Sequence, residues 1–300
     1  MGVGQFEIND VSNKIQGLAE KILGTGVIES MTRVCERYGQ EEDEFRKYDV
    51  YKINTQNGTK IMKKSSEREV SNYEKYLHAK NFNVPAYYGS HVDGKNLWII
   101  LDSIEGEDLR EMSDDLARAA AESLAAIQNA YWNCRDKERF ETYIQRLEKR
   151  YSFIKKDDVI GKAYKVFLER QLACPRTMSN GDFLEFNAVN HEGKVYIIDW
   201  GFGGIMPYSL DIARFIAHAT ENRATFPFYM NDDQKKIFVD RVYELLRIKP
   251  DYKQYLYDIK LAILNEYVEF IEADEDEDNW YLEHAKRLAE EIEATSDGIL

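Results

Sequence analysis

The chain has 300 residues, of which 44% are hydrophobic and 13% aromatic, so an intrinsically disordered chain is excluded. Lys and Arg number 40 and Asp and Glu number 54, which gives a formal net charge of −14. Because phosphate backbones are bound through clustered basic side chains, nucleic acid is excluded as a main partner, and a cationic small molecule fits this charge better.

Cysteine usage and the start of the chain indicate a compartment. The three cysteines form no CxxC pair, so neither a disulfide framework nor a zinc site is suggested. The first residues lack the basic and then apolar pattern of a signal peptide, and no apolar run approaches the ~18 residues of a membrane span. We therefore expect a reduced, cytoplasmic protein without a membrane partner.

Hydrophobic periodicity predicts a helix and then an antiparallel sheet at the start of the chain. Residues 8–23 repeat apolar side chains at helical spacing, and Gly24 would end that helix. Three strands are predicted after it, over residues 27–38, 48–55 and 59–64. Asn57-Gly58 indicates a hairpin between the last two strands, since Asn-Gly tolerates the positive φ of a tight turn.

The pattern changes from mixed to helical along the chain. A helix is predicted over 65–80, an extended segment from 83, and a buried strand over 97–101. The remaining helices are predicted over 114–132, 135–154, 157–172, 232–248, 251–273 and 279–295, with another beginning near 207. A loop is predicted over 174–179.

The run 179–204 places three polar side chains, Asp182, Asn187 and Asp199, on a short loop and hairpin. An apolar β-branched strand over 195–198 delivers Asp199 at its end. Folding the hairpin back brings the Asp199 carboxylate next to the Asn187 amide, and two such oxygen ligands suit a hard cation such as Mg²⁺. Asp182 is then left as a base, which is the layout that phosphoryl transfer needs.

These residues carry a family resemblance. Asp182 to Asn187 has the form DxxxxN, and IIDWGFGG resembles the metal-binding segment of the aminoglycoside phosphotransferase and choline kinase superfamily, relatives of protein kinases. The family's loop usually reads HGDxxxxN, whereas this chain has Asn180 in place of the His. The resemblance implies that Asp182 is the catalytic base and that Asn187 and Asp199 bind Mg²⁺. Asp211 resembles the Asp that braces the catalytic loop, although an Asp in a helix's first turn also interacts with the helix dipole.

The resemblance extends to the predicted sheet. KIMKKSS resembles the strand whose Lys holds the α and β phosphates, and Lys63 fits that place, with Lys64 as its rival on the opposite face. In kinases a Glu of the next helix pairs with this Lys, for which Glu69 is the first choice and Glu67 the alternative. An exposed surface side chain is the competing interpretation for each of them.

Two further segments concern the nucleotide. LWIIL followed by DSIEGEDL resembles the family's hinge, which implies that backbone groups around Ser103 and Ile104 meet the adenine edge. The glycine-rich phosphate loop is the weakest match, since residues 39–48 contain one Gly and consecutive acids at 41–44. Backbone amides must then cradle the phosphates, or the loop must point away from them.

A second acidic run, over 274–278, is by default a solvated surface. A sharper hypothesis is that carboxylates and aromatic rings near it attract a substrate that bears ammonium groups, by charge and by cation–π contact. The residues proposed for this role are Glu266, Tyr267, Glu269 and Trp280.

We therefore expect an α+β, protein-kinase-like, two-lobed fold: a small antiparallel-sheet, nucleotide-binding lobe over 1–102, a hinge at about 102–106, and a mainly helical catalytic and substrate-binding lobe over 103–300. The implied function is transfer of the γ-phosphoryl group of ATP, with Mg²⁺ and with GTP as an alternative nucleotide, to a hydroxyl of an aminoglycoside-, choline- or sugar-like acceptor. No protein-kinase activation loop follows Asp199, which argues against a protein substrate. The alternative is a catalytically weak or inactive kinase-like protein that binds a nucleotide or a partner, motivated by Asn180 and the acidic loop.

Overall fold

The structure, a computed structural model, describes residues 5–37, 45–219, 228–276 and 278–296. The strands are β1 (Gln5–Ile8), β2 (Ile28–Arg37), β3 (Phe45–Thr55), β4 (Gly58–Ser65), β5 (Tyr87–Asp93), β6 (Asn96–Asp102), β7 (Glu107–Asp108), β8 (Arg176–Ser179), β9 (Ala188–His191), β10 (Lys194–Ile197) and β11 (Gly204–Pro207). The helices are α1 (Asn13–Leu23), α2 (Glu67–Asn72), α3 (Asp114–Tyr131), α4 (Glu138–Ile154), α5 (Asp158–Ala173), α6 (Ser209–Ala217), α7 (Asp232–Leu245), α8 (Tyr252–Glu272) and α9 (Trp280–Ser296).

The chain forms two compact units. The first runs to Leu109 and also contains Phe186–Phe202, and the second comprises Arg110–Glu185 and continues from Gly203. This division differs from the expected lobes of 1–102 and 103–300 at the end of the first unit and in the hairpin segment. The hairpin joins the first unit because β9 pairs with β7.

The first unit contains a six-stranded antiparallel sheet in the order β1-β2-β3-β4-β6-β5. Helix α1 packs against β5 and β2 and buries Leu18 and Ala19 in an apolar core with Tyr51, Ile53, Met62, Trp98 and Ile100 of the sheet. The predicted helix over 8–23 is wrong at its start. Ser12 caps α1 by accepting a hydrogen bond from the Ile15 amide, and β1 precedes it as an edge strand.

The predicted helix over 65–80 is shorter and less regular than expected. Helix α2 passes directly into a π-helical segment over Tyr73–Leu77, which ends where the His78 amide donates to the Tyr73 carbonyl at 2.7 Å. The hydrophobic pattern does not distinguish these two helix types here, because the π-helical segment has only five residues, about one turn.

The second unit is mainly helical. One apolar core of this unit is formed by buried side chains of α4, α5, α6, α8 and α9, together with Met206 of β11. Helix α6 packs on α8, and α8 packs on α9. The loop predicted over 174–179 is wrong over its last four residues, because residues 176–179 form β8 and pair antiparallel with β11. Within the described ranges, no helix has both the length and the apolar character needed to cross a membrane.

The two units together confirm the expected α+β class, with an antiparallel sheet in the first part of the chain and helices in the second.

Polar caps start several of the helices: Ser113 caps α3, Asp157 caps α5 and Asp251 caps α8, and Asn231 forms a capping box with Gln234 on α7.

Candidate active site

A half-buried lysine of the first unit lies between two carboxylates. We call Lys63, Glu69 and Asp199 the lysine cluster. Lys63 Nζ is 2.8 Å from Glu69 Oε1 and 3.1 Å from Asp199 Oδ1. Burial by itself would lower the pKa of Lys63, but the two carboxylates outweigh it and raise that pKa. The ammonium group therefore stays charged between two acids.

Local structure decides which lysine and which glutamate take these places. Side chains alternate along β4, so Lys64 points to the other face, where it is 42% exposed and pairs with Asp49 at 2.6 Å. Lys63 is 18% exposed. The rival Glu67 is exposed in the first turn of α2, whereas Glu69 is buried.

Two serines hold Glu69 in position. The side chain of Ser66 caps α2 by accepting a hydrogen bond from the Glu69 amide at 3.2 Å. Ser65 Oγ donates to Glu69 Oε2 at 2.8 Å, which leaves Oε1 towards Lys63. Further along α2, Asn72 Nδ2 donates to the carbonyl of Trp200, the residue after Asp199. Helix α2 thus contacts both the lysine partner and the segment that carries Asp199.

The β9–β10 hairpin positions the two predicted metal ligands. Asn187 ends a 3-10 turn directly before β9, and the Ile198 amide donates to its carbonyl at 2.9 Å. The turn between the strands has positive φ at Glu192 (51°) and Gly193 (80°), as a tight hairpin requires. Asp199 itself has a φ of 53°, a conformation that costs free energy in a non-glycine residue and is concentrated at functional sites.

The donor set of this hairpin fits Mg²⁺ rather than a metal bound wholly by protein. Among the described residues, no group of three or more His, Cys, Asp and Glu side chains could hold a metal ion. Asp199 and Asn187 offer one carboxylate and one amide oxygen. Mg²⁺ is commonly held by one or two carboxylates, with water and substrate phosphates as its remaining ligands.

The hinge predicted around residues 102–106 is tied to the sheet. Lys60 Nζ binds Asp102 Oδ1 at 2.6 Å, and the Tyr88 hydroxyl donates to the same oxygen at 2.9 Å. The Ser103 amide donates to the Thr59 carbonyl at 3.1 Å, so that N–H is used within the protein. The Ile104 amide donates to no other residue in the described part of the chain. The acidic residues 41–44, expected near the phosphates, lie outside the described residues.

The loop that carries Asp182 lies in the second unit, and the buried side chain of Asp211 holds its backbone. Asp211 accepts hydrogen bonds from Ser179 Oγ at 2.7 Å, the Asn180 amide at 2.7 Å and the Gly181 amide at 2.9 Å. Its complete burial raises its pKa, although the three hydrogen bonds oppose that shift. This is the place expected for the residue that braces the loop.

The structure also gives Asn180 a function in the loop. Its side-chain oxygen accepts a hydrogen bond from the Asp182 amide at 3.1 Å, which is an Asx turn. Gly181 between them has a φ of 76°, which a residue with a Cβ adopts only at a cost. The next residue, Phe183, is fully buried and stacks on Phe215 of α6 with ring centroids 4.6 Å apart. The loop backbone is therefore held on both sides of Asp182.

An arginine with no predicted role contacts the predicted base. We call Asp182, Arg214 and Glu266 the arginine cluster. Arg214 Nη2 donates to Asp182 Oδ1 at 2.8 Å, and its Nη1 donates to Glu266 Oε2 at 2.7 Å. His218 Nε2 lies 3.4 Å from the same Glu266 oxygen. The sequence signal was present in α6, SLDIARFIA: an arginine three residues after Asp211 in an otherwise mostly apolar segment.

The residues predicted to attract a cationic substrate are mostly buried. Tyr267 and Trp280 are 6% and 9% exposed and contact each other edge to face. The Glu266 side chain is 7% exposed and pairs with Arg214, whereas the Glu269 side chain is 35% exposed and pairs with Arg150 at 3.1 Å. Of these four, Glu269 therefore presents the most charge to solvent.

An antiparallel sheet with a Lys–Glu pair, followed by a mainly helical unit with a braced Asp loop, defines a phosphotransferase of the protein-kinase-like class. The chain belongs to the phosphotransferase enzyme family, APH, whose family model matches residues 49–235. No curated protein has a significant sequence match to it. The superfamily expected from the loop motifs is thus confirmed.

Solved structures share the fold at low sequence identity. A thermostable mutant of aminoglycoside phosphotransferase APH(4)-Ia, in complex with ADP and hygromycin B, superposes with a TM-score of 0.56 at 14% identity, over 92% of this chain and 97% of that chain. Amicoumacin kinase hAmiN gives 0.56 at 13% identity, over 82% and 85%. Ethanolamine kinase from Plasmodium vivax gives 0.51 at 13% identity, over 83% and 78%. These matches confirm the kinase-like fold.

Proposed function

We propose that this phosphotransferase transfers the γ-phosphoryl group of ATP to a hydroxyl of a small molecule, with Asp182 as the base. The observation that carries the proposal is Lys63, whose ammonium group lies within 3.1 Å of both the Glu69 and the Asp199 carboxylates. A lysine fixed by a helical glutamate beside a metal-binding aspartate is the arrangement that holds nucleotide phosphates in kinases. Family membership supports the reaction class.

Residues of the first unit would bind the nucleotide. Lys63 would contact the phosphates, with Glu69 fixing its position. Asn187 and Asp199 would hold Mg²⁺, which when bound neutralises charge on the phosphate oxygens. The Ile104 amide would donate to the nucleobase; its hydrogen-bonding capacity is unused within the described residues. Since one such contact does not separate the bases, GTP stays an alternative nucleotide.

Asp182 would act on the acceptor. A carboxylate base orients the attacking hydroxyl and accepts its proton as the new bond to phosphorus forms. The Asp182 side chain is 21% exposed, so a hydroxyl can reach it. Its backbone is restrained by the Asn180 turn on one side and by buried Phe183 on the other. This restraint supports a positioned base rather than a loop residue in free rotation.

The acceptor class is an aminoglycoside-, choline- or sugar-like compound. The structures with a similar fold include a complex with hygromycin B and an ethanolamine kinase, and hygromycin B and ethanolamine are both amines. The formal charge of −14 supports a cationic acceptor by long-range attraction. We also infer a cytoplasmic location, where ATP and Mg²⁺ are plentiful and the three cysteines stay reduced.

The test is ADP formation from MgATP in the presence of hygromycin B, kanamycin, ethanolamine, choline or ribose. We expect acceptor-dependent turnover with at least one of them. Asp182→Asn should lower kcat by about 10²–10⁴-fold, the usual contribution of a general base, while MgATP binding persists. Asp115→Asn, an exposed change on α3 of the same unit, is the matched control and should keep kcat.

The same measurements distinguish an active kinase from a kinase-like protein that binds a nucleotide without catalysis. A thermal shift with MgATP but no ADP formation from any acceptor would favour a nucleotide-binding protein without catalysis. Full turnover by the Asp182→Asn variant would show that the base is misassigned.

A further inference from the structure

We propose that Arg214 is a positioning residue that fixes the orientation of the Asp182 carboxylate, and that Glu266 of α8 fixes Arg214 in turn. The inference rests on the proposed function, in which Asp182 is the base. It gives both residues roles that were not predicted from the sequence. Arg214 had no predicted role, and Glu266 was expected to contact a substrate.

The guanidinium group donates two hydrogen bonds to the same oxygen of Asp182. Nε and Nη2 of Arg214 lie 3.2 Å and 2.8 Å from Asp182 Oδ1. Two donors on one oxygen define the direction in which the carboxylate must point, and rotation about its χ2 would break both hydrogen bonds.

The third nitrogen connects Arg214 to a different helix. Nη1 donates to Glu266 Oε2 at 2.7 Å, so all three guanidinium nitrogens have a carboxylate acceptor. The Glu266 side chain is 7% exposed and lies on α8, which packs against α6. Burial alone would raise the pKa of Glu266, but Arg214 and His218 lower it to about 2. Glu266 is thus a fixed negative charge that anchors the guanidinium.

Helix α6 holds the catalytic loop at two points. Asp211 and Arg214 are three residues apart and therefore lie on one side of the helix. Asp211 accepts the hydrogen bonds of the loop backbone at residues 179–181, and Arg214 holds the side chain of Asp182. The loop backbone and the Asp182 carboxylate are thus both held by the same rigid helix. A positioned base requires this kind of support.

The arrangement requires an arginine. A lysine has a compact ammonium group on a flexible stem, so it cannot hold Asp182 Oδ1 with two donors and Glu266 with a third in a fixed plane. Arg214→Lys therefore keeps the positive charge but loses the orientation. If the charge alone matters, this variant keeps full turnover; if the orientation matters, it does not.

The chain offers a matched control in Arg170. Its Nε and Nη2 bind the two oxygens of Asp258 at 2.7 Å and 2.9 Å, and Asp258 lies on α8, the helix that carries Glu266. The Arg170 side chain is 24% exposed and that of Arg214 18%. Arg170→Met therefore removes a comparable ion pair between an arginine and a carboxylate of α8, but it leaves the contacts of Asp182 in place. It reports the structural effect alone.

The experiment measures kcat and KM for MgATP from ADP formation, with the best acceptor of the panel above, or with water as acceptor if none is better. The variants are Arg214→Met, Arg214→Lys and Arg170→Met, each in the wild-type and in the Asp182→Asn background. We expect Arg214→Met to lower kcat roughly 10²-fold, the typical effect of a misplaced catalytic group. KM for MgATP should stay within about twofold, and Arg214→Lys should recover only part of the loss.

The double variants provide the decisive comparison. If Arg214 acts through Asp182, then Arg214→Met has no further effect once Asp182 is Asn, because residues that act as a unit are not additive. A further loss of equal size in that background, or a loss no larger than that of Arg170→Met, would overturn the inference. Should Arg214→Met not fold in a thermal melt, Glu266→Gln replaces it, with a smaller loss of kcat and the same non-additivity expected.

Failure of the proposed function gives a different result. If Asp182→Asn keeps wild-type turnover, or if no acceptor including water yields ADP, the base assignment fails and this inference fails with it. If Asp182→Asn abolishes turnover while Arg214→Met does not lower it, the proposed function stands and only the role of Arg214 is wrong.

Discussion

Lys63 and Glu69 form an ion pair at 2.8 Å in which the lysine comes from a strand and the glutamate from the helix after it. The pair is largely buried, with the glutamate side chain only 4% exposed. Breaking a buried pair leaves one charge without compensation, so its members are sensitive to substitution. This sensitivity is the basis of the first prediction.

Lys63→Met should lower kcat/KM for MgATP by about 10²–10³-fold, the usual loss when one charge-stabilising donor is removed. Lys64→Met is the control, since Lys64 is on the opposite face of β4 and pairs with Asp49 at the surface. Its effect should stay within about twofold, because exposed ion pairs contribute little. Steady-state ADP formation measures both. Equal losses in the two variants would remove Lys63 from the nucleotide site.

The placement of Lys63 and Lys64 on opposite faces of β4 could be predicted from the sequence, because it depends only on local structure. Alternation along a strand needs only neighbouring residues, and the hairpin at Asn57-Gly58 sets which residues belong to β4. The same holds for the β9–β10 hairpin, whose tight turn brings Asn187 back towards the residue before Asp199.

The arginine cluster could not be predicted in this way. Arg214 reaches Asp182 across 32 residues and Glu266 across 52. Which face of α6 meets α8 depends on how the helices pack, and a helix pattern does not specify its partner. The carboxylate of Glu266 was for that reason interpreted as a substrate contact, although it is paired inside the protein. The strands β8 and β11 were missed for the same reason, since each has 4 residues and pairs with a distant segment.

Asn180→Ala should destabilise the protein by about 1–3 kcal/mol, because the Asp182 amide then loses its acceptor at a partly buried position. Turnover should fall as well, since the turn holds the base. Asn190→Ala removes a similar bond, from the Gly193 amide to a side-chain oxygen, but at an exposed hairpin turn. We expect that control to cost less than about 1 kcal/mol. Urea unfolding with turnover on the same samples tests this, and similar costs for both variants would contradict it.

His218 predicts a pH dependence of stability. It is buried beside Glu266 and Tyr281, and burial lowers its pKa below the ordinary 6.5, although Glu266 opposes the shift. As the pH falls below 6.5, the unfolded chain therefore binds a proton that the folded protein resists, and the free energy of unfolding decreases. One such histidine contributes at most about 1.4 kcal/mol per pH unit.

The check is urea unfolding between pH 7.5 and 5.5. His218→Gln should remove most of the decrease in unfolding free energy over this range, while His91→Gln, at the surface of the first unit, should keep it. An unchanged slope in the His218 variant would show that the buried imidazole does not resist protonation.

Glu269 and Glu266 should differ in their effects on a cationic acceptor. Glu269 is the more exposed of the two, so Glu269→Gln should raise KM for ethanolamine or hygromycin B by about three- to tenfold through lost attraction, with little change in kcat. Glu266→Gln should instead lower kcat, since Glu266 contacts Arg214. Glu290→Gln, an exposed change on α9, is the control for net charge. If neither substitution changes the KM of a cationic acceptor, the two carboxylates do not contribute to its binding.

Substitution of Asp199 tests metal binding separately from nucleotide binding. Its carboxylate is 45% exposed, lies on a backbone with a φ of 53° and accepts a contact from Lys63. Asp199→Asn keeps the size of the side chain and removes the charge that a hard cation requires. The thermal shift produced by ATP should then no longer depend on Mg²⁺, and kcat should fall at least about 10²-fold.

Asp49→Asn provides the comparison for that experiment, because it also removes the carboxylate partner of a β4 lysine, but on the opposite face of the strand. It should keep the Mg²⁺ dependence of the shift. Asp199→Asn relieves no backbone strain, because asparagine adopts the same positive φ, so any change in the apparent Mg²⁺ affinity reports the charge. A Mg²⁺-dependent shift of unchanged size in the Asp199 variant would place the metal elsewhere and leave Lys63 as the partner of an aspartate with no role in the reaction.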